Sequence, residues 1–151
     1  MFQRLKDLVA SGTDQAINRV HAKLKPEIKG INGLAGGFAL LVMADRVVEE
    51  AEMEAVSEYL IDMDIIIERR LTREVAELFL AHVDFLEKAH KRGVVELNIS
   101  IGELLEDISE AQDDREWSKI IAKTTTLVTS GEKADAGEIK TRERILKALG
   151  K

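Results

Sequence analysis

Apolar residues recur three and four positions apart along most of this chain, and that spacing limits its fold more than any other feature. The chain contains a single proline, and apolar and polar residues alternate only in the short stretch VVELNISI. Strands are therefore not expected, and the spacing predicts an all-α protein, a compact bundle of about seven helices. The clearest apolar face belongs to the fourth predicted helix and consists of Val75, Leu78, Phe79, His82, Phe85 and Leu86.

Capping and breaking residues set the predicted helix boundaries. Pro26 is expected to end the first helical region, Gly93 to end the fourth helix, and Ser100 to cap the fifth. Gly36 and Gly37, in the very apolar second helix, are expected to let a neighbouring helix approach closely. The predicted helices are 1–24, 33–44, 49–61, 72–91, a fifth that begins after Ser100, a sixth from about 113–114 through Leu127, and 136–149.

Length and composition exclude several classes of protein. A chain of 151 residues is expected to form one domain over residues 1–151. It has no cysteine, so disulfides, thiolate metal sites and a cysteine nucleophile are excluded. A net charge of −6 argues against nucleic-acid binding, which requires a basic surface. Since neither a signal peptide nor a membrane-spanning apolar run is recognisable, a cytoplasmic location is expected.

The N-terminal region is basic although the whole chain is acidic. Residues 1–30 contain six Lys or Arg against three Asp or Glu. Phe2, Leu5, Leu8 and Val9 follow helical spacing, so a helix here would be amphipathic. Two alternatives follow: peripheral contact with an anionic membrane surface, or packing of the apolar stripe on the protein core.

The stretch LLVMADRVVEEAEMEAVSEYL, residues 40–60, is where a candidate site first appears. Its apolar run stops at Asp45, and Glu49 and Glu52 follow at the start of the next predicted helix. An Asp that ends one helix and a Glu seven residues later can point into the same turn, where Ca²⁺ would need roughly 6–8 oxygen ligands. The alternative is an ordinary helix junction, because carboxylates favour the positive end of a helix.

The same pattern recurs once in the chain. A shift of 86 residues places residues 40–60 over residues 126–146 and aligns Leu41 with Leu127, Glu52 with Glu138 and Leu60 with Leu146. Both copies show an apolar helix, a short polar turn and a helix with a carboxylate in its early part. The sequence therefore predicts an internal pseudo-repeat, with copies at about 33–61 and 118–149.

These motifs resemble a known family. The segment ADRVVEEAE, residues 44–52, is similar to the A-D-G-x-V-x-x-x-E signature of the tellurite resistance TerB family, which also occurs in the TerB-like domain of some membrane-anchored J-domain co-chaperones. Family members carry the signature twice, the second time before a helix that ends in Leu-Gly, as in ERILKALGK here. The opening FQRLKDLVASG also looks like a TerB N-terminus, so the resemblance covers most of residues 1–150.

The resemblance implies a TerB-like helical protein, not an enzyme, that acts in tellurite and related stress resistance beside membrane proteins of the same system. The chain departs from the family pattern at three positions: Arg46 replaces a glycine, Glu49 stands where a Ser or Thr helix cap is frequent, and Gly131 replaces an aspartate. The ligands that the family pattern implies for Ca²⁺ or another divalent cation are Asp45, Glu49, Glu52, Asp135 and Glu138.

Two functions therefore stay open, a divalent-cation sensor and a metal-free helical adaptor or scaffold for protein–protein interaction. A catalytic alternative has little support, because neither a glycine-rich phosphate loop nor a Ser-His pair is present. The three histidines, His21, His82 and His90, lack the spacing of a zinc site. His82 lies on an apolar helix face and is expected to be a hydrogen-bonded core residue.

Overall fold

The structure, a computed structural model, describes residues 25–43, 50–130 and 136–151, with side chains from residue 27 in the first range and residue 54 in the second. These ranges form seven α-helices and contain no strand, so the predicted all-α bundle is confirmed. The first predicted helix, residues 1–24, lies outside the described residues. The helices are α1 (Lys25–Val42), α2 (Glu50–Ile61), α3 (Asp64–Glu68), α4 (Thr72–Arg92), α5 (Val94–Ser109), α6 (Arg115–Val128) and α7 (Ala136–Ala148).

Helix α1 is the centre of the bundle. It contacts α2, α4, α5, α6 and α7, and Ile31, Leu34 and Phe38 are completely inaccessible to solvent. From Ile31 to Val42 every residue of α1 except Asn32 is buried, and a helical segment buried on all sides is stable only when other elements surround it. The other helices therefore pack around α1 and turn their polar faces outward.

Two predicted boundaries were wrong. Helix α1 begins at Lys25, not at residue 33, so Pro26 is its second residue and opens a helix instead of ending one. Proline is tolerated there because the first-turn N–H groups have no intrahelical acceptor. Helix α5 begins at Val94, and Ser100 is a buried residue in its middle, not its cap. Gly93, with φ 125°, makes the sharp break between α4 and α5 and allows VVELNISI to be helical.

The tightest approach of another helix to α1 is at Gly30, not at the predicted Gly36 and Gly37. A Cβ atom on Gly30 would lie only 2.2 Å from Cγ of Trp117 in α6. At Gly36 and Gly37 the nearest atoms would be 3.8 Å and 3.6 Å away, which is ordinary contact. The Trp117 indole, 1% exposed, therefore packs directly on the backbone of α1 at Gly30.

Helix α6 begins where the acidic residues predicted. The Asp114 carboxylate accepts a hydrogen bond from the backbone N–H of Trp117, at 3.1 Å, and so caps the helix. This cap fixes the position of Trp117 on the first turn. Helix α3 was not predicted, because a five-residue helix is too short to show apolar periodicity.

The helix boundaries agree with the 86-residue shift seen in the sequence. Helices α1 and α6 end at Val42 and Val128, and α2 and α7 begin at Glu50 and Ala136. Both pairs of positions differ by 86 residues. The pseudo-repeat itself stays a prediction.

None of the helices in the described ranges combines the length and the apolar composition needed to cross a bilayer.

Candidate functional site

The predicted cation ligands fall mostly outside the described part of the chain. Asp45, Glu49 and Asp135 lie outside the described residues, and Glu52 belongs to α2 without a described side chain. Glu138, in the first turn of α7, is half-buried. Among the side chains that the structure describes, no three His, Asp or Glu residues form a group that could hold a metal ion. The predicted site is therefore neither confirmed nor contradicted.

The two predicted acidic turns join the described chain at one small cavity, which we call the paired-turn cavity. Its volume is about 180 Å³, and it lies where the end of α1 and the start of α7 meet α5. Met43 precedes the first turn and Gly137 follows the second, and both line this cavity. The complete lining is Leu40, Met43, Leu97, Asn98, Ile101, Leu105, Gly137, Lys140, Thr141 and Arg144.

Two positive charges belong to the same cavity. Lys140 and Arg144 lie one helical turn apart on α7, and both line it. A cationic side chain near a carboxylate competes with a metal ion for it, because like charges repel at short range. The described side chains therefore make the paired-turn cavity less suited to a divalent cation than the acidic sequence pattern alone indicates.

A much larger depression lies elsewhere on the surface, between α2–α3 and α6. This depression, which we call the α2–α6 groove, has a volume of about 740 Å³. Its lining is largely apolar along the floor and charged along its rims. The lining residues are Ala55, Glu58, Tyr59, Asp62, Met63, Asp64, Ile65, Ile120, Lys123, Thr124 and Leu127.

The apolar faces of α2 and α6 are only partly covered by the core, and their uncovered parts form the α2–α6 groove. Leu60 on α2 and Ile121 on α6 are fully buried, whereas Tyr59 and Leu127 are 38% and 54% exposed. The Tyr59 ring still packs on the core, with its centroid 5.9 Å from that of Phe38. Tyr59 and Leu127 thus supply apolar surface to solvent on opposite walls of the groove.

The two walls carry charges of opposite sign. Glu58, Asp62 and Asp64 line the α2–α3 wall, which we call the acidic wall, and Lys123 lines the α6 wall. A bound segment with basic residues toward the acidic wall would gain electrostatic attraction as well as apolar contact.

One end of the groove is fixed by a cluster of charged residues. Arg69, directly after α3, forms ion pairs with Glu27 on α1 and, at 2.7 Å, with Glu116 on α6. Its guanidinium also lies 5.8 Å from the centre of the Trp117 ring. The hydrogen bond to Glu116 raises the pKa of Arg69, so its charge is permanent. These contacts hold α1, α3 and α6 together one turn from Ile65 and Ile120 of the groove.

His82 is a structural residue, as predicted. Its Nε2 donates a hydrogen bond to Oδ1 of Asn32 on α1, at 2.7 Å. Burial lowers the pKa of His82, and the nearby Asp107 carboxylate opposes this shift only partly. The neutral imidazole therefore joins α4 to α1.

The α2–α6 groove was missed by reasoning from the sequence, although one signal was present. Leu127 is the last residue of the sixth predicted helix, which also contains the apolar residues Trp117 and Ile121. In the structure Trp117 and Ile121 face the core and Leu127 faces solvent. Leu127 follows Lys123 by four positions, one helical turn, and comes directly after the threonine run 124–126, so it is at the edge of an apolar stripe, where exposure is common.

The chain matches no protein-family model, no curated protein and no solved structure. The resemblance to the TerB family therefore depends on the sequence motifs alone.

Proposed function

We propose that this chain is a non-enzymatic, TerB-like helical adaptor, in which the α2–α6 groove binds a basic amphipathic helix of a partner protein. The observation that carries the proposal is the combination of an exposed apolar floor and an acidic wall in one groove of about 740 Å³. Grooves of this kind accept helices whose apolar residues recur at positions i, i+3, i+4 and i+7.

The position of the groove suits a recognition surface. Ile120 and Leu127 are separated by seven residues of α6, or about 10.5 Å, which is two turns of a bound helix. Tyr59 is a large amphipathic ring on the opposite wall, and aromatic residues of this kind dominate the binding energy at protein interfaces. Because Arg69 fixes one end, the walls are held in place before a partner arrives.

The resemblance to the TerB family supports a cellular role for this adaptor in stress resistance. We place it in the cytoplasm, in a tellurite and metal-stress resistance system that includes membrane proteins, and the partner helix belongs to one of them. The acidic wall favours a positively charged segment, and cytoplasmic loops of membrane proteins are rich in Lys and Arg.

A divalent-cation site at the two acidic turns is the second candidate function. It is favoured by one observation, that Met43 and Gly137, which flank the two turns, line the same cavity. Lys140 and Arg144 in that cavity oppose it. The adaptor function is therefore the first candidate.

The adaptor function is tested by titration with a synthetic helical peptide that carries leucines on one face and lysines on the others. We expect the wild-type chain to bind it and Leu127→Asp or Asp64→Lys to weaken the binding at least about tenfold, because each change removes a contact with the groove. Val95→Asp is the matched control, since Val95 is a 71% exposed apolar residue on α5 outside the groove. Equal binding by all four proteins, or equal binding of a peptide with scrambled leucine positions, would refute the proposal.

A cellular test addresses the tellurite context separately. In cells that produce this chain, its deletion should lower tolerance to tellurite, and the wild-type chain should restore it. Leu127→Asp should fail to restore tolerance while the Val95→Asp control restores it. If deletion leaves tolerance unchanged, the tellurite context is wrong even where peptide binding holds.

A further inference from the structure

The segment before α1 contains the apolar and basic residues that the α2–α6 groove is proposed to bind. Residues 1–24 contain four Lys or Arg against two Asp. On a helix, one face would carry Phe2, Leu5, Leu8 and Val9, Arg4 and Lys6 would lie on either side of it, and Asp7 on the opposite side. An apolar stripe between two basic residues would fit the apolar floor with one basic residue toward the acidic wall and the other toward the wall that carries Lys123.

The lengths of the two surfaces agree. Phe2 and Val9 are seven residues apart, and so are Ile120 and Leu127 on the α6 wall. At 1.5 Å per residue, each spans about 10.5 Å along a helix axis. A helix formed by the first residues of the chain would therefore contact the floor over its whole length.

Ion pairs link the start of α1 to both walls of the groove. Glu27, in the first turn of α1, is paired with Arg69, which is paired with Glu116. Ile65 on α3 and Ile120 on α6 each lie four residues, about one turn, from those two partners. The start of α1 is thus linked through Glu27 and Arg69 to both walls of the groove, and the fifteen residues 10–24, which can extend to about 50 Å, are enough to connect its far end to Lys25.

We propose, on the basis of the adaptor function, that residues 1–24 occupy the α2–α6 groove as an intramolecular competitor of the partner helix. A tethered segment competes at an effective concentration in the millimolar range when its linker is short. The partner must therefore displace it, and the groove is available only to a partner that binds more tightly than the chain's own N-terminus.

The first experiment is a competition measurement by calorimetry with a synthetic peptide of residues 1–24. The Leu5→Asp/Leu8→Asp double variant of the full chain should bind this peptide at least about tenfold more tightly than the wild type does, because its own segment no longer competes. Adding Leu127→Asp to the double variant should remove the binding. Circular dichroism on each variant checks that the bundle is intact.

The outcomes separate the two proposals. If the double variant and the wild type bind the peptide equally, the groove is a binding site but residues 1–24 do not occupy it, and the intramolecular competition is overturned. If neither binds the peptide, or if Leu127→Asp has no effect, the proposed adaptor function fails as well.

A second experiment does not depend on the aspartate variants. The chain has no cysteine, so Leu8→Cys can be labelled at a single site with a benzophenone photo-crosslinker. Crosslinks should form within one molecule and map to residues 54–65 or 120–127. The same label at Val95→Cys is the control and should not reach those residues. Crosslinks that are absent, that join two molecules, or that map to other residues would overturn the proposal.

Discussion

Gly30→Ala is the substitution whose effect the structure specifies most sharply. The new methyl carbon would lie 2.2 Å from Cγ of Trp117 and 2.5 Å from both Cδ1 and Cδ2. Carbon atoms in contact are normally about 3.5–4.0 Å apart, so the indole must move by roughly 1 Å or more. Trp117 is 1% exposed, so its indole is enclosed by other side chains and cannot turn out into solvent without opening the core.

The magnitude follows from two opposing effects. Overpacking in a closed core costs about 1–3 kcal/mol, occasionally more. Alanine is about 1 kcal/mol more favourable than glycine inside a helix and offsets part of that cost. Because a 2.2 Å approach is far inside contact distance, we place the clash at or above the upper end of its range. After the gain of about 1 kcal/mol in helix propensity is subtracted, Gly30→Ala should lower the free energy of unfolding by about 2 kcal/mol or more.

Gly36→Ala is the matched control in the same helix. Its methyl group would lie 3.8 Å from the His82 ring and from Leu104, at ordinary contact distance. Only the helix-propensity gain remains, so Gly36→Ala should stabilise the protein by roughly 0.5–1 kcal/mol. Urea unfolding followed by circular dichroism should show midpoints shifted in opposite directions with similar m-values.

A double-mutant cycle identifies the cause. In a Trp117→Leu background the clash is relieved, so Gly30→Ala should cost little and the interaction energy should be about 1 kcal/mol or more. A Gly30→Ala protein as stable as the wild type, or a cost unchanged by Trp117→Leu, would refute the proposed packing of the indole on α1.

Two further predictions concern charge. His82 has a lowered pKa in the folded state, so the unfolded chain binds the proton first, and stability should fall as the pH drops below the ordinary histidine value of about 6.5. Urea unfolding from pH 7.5 to 5 should show this loss in the wild type and a smaller one in His82→Gln; equal slopes would contradict it. Millimolar Ca²⁺ should raise the melting temperature slightly more than Na⁺ at equal ionic strength. Asp45→Asn and Glu52→Gln should each remove this difference in melting temperature. Glu138→Gln should reduce the difference less than either of them. Identical melts in the two salts would exclude the cation site.

The parts of the fold that were predictable from sequence are those with a strong local signal. Helices α4, α6 and α7 were predicted within one or two residues at most ends, because their apolar faces repeat regularly and Asp114 and Gly93 mark clear boundaries. The start of α1 was missed because proline has two meanings near a helix: it breaks the interior and is accepted in the first turn. Pro26 was predicted to end a helix, whereas in the structure it lies in the first turn of α1, the helix around which the others pack.

The candidate sites were predictable to a smaller extent, and for a physical reason. Periodicity indicates which face of a helix is apolar, but whether Leu127 is buried depends on what packs against that part of α6. The same holds for Gly30, since only the arrival of Trp117 from a distant part of the sequence makes it a close contact. A groove and a glycine contact are both products of long-range packing, which a local pattern does not contain.

The charges of the described helices bear on both proposals together. The acidic wall of the α2–α6 groove ends at α3, which Arg69 ties to Glu27 in the first turn of α1, and the basic residues 1–24 precede that turn in the chain. Residues 44–49 follow α1 and residues 131–135 precede α7, and each segment contains two carboxylates and one basic residue. Lys140 and Arg144 line the paired-turn cavity next to both segments. In both places the helices carry the charge opposite to that of the adjoining segment, which favours pairing within the chain. If protein cations already balance the acidic turns, a divalent ion gains little there, and this is why we expect the Ca²⁺ effect to be small and the groove to carry the function.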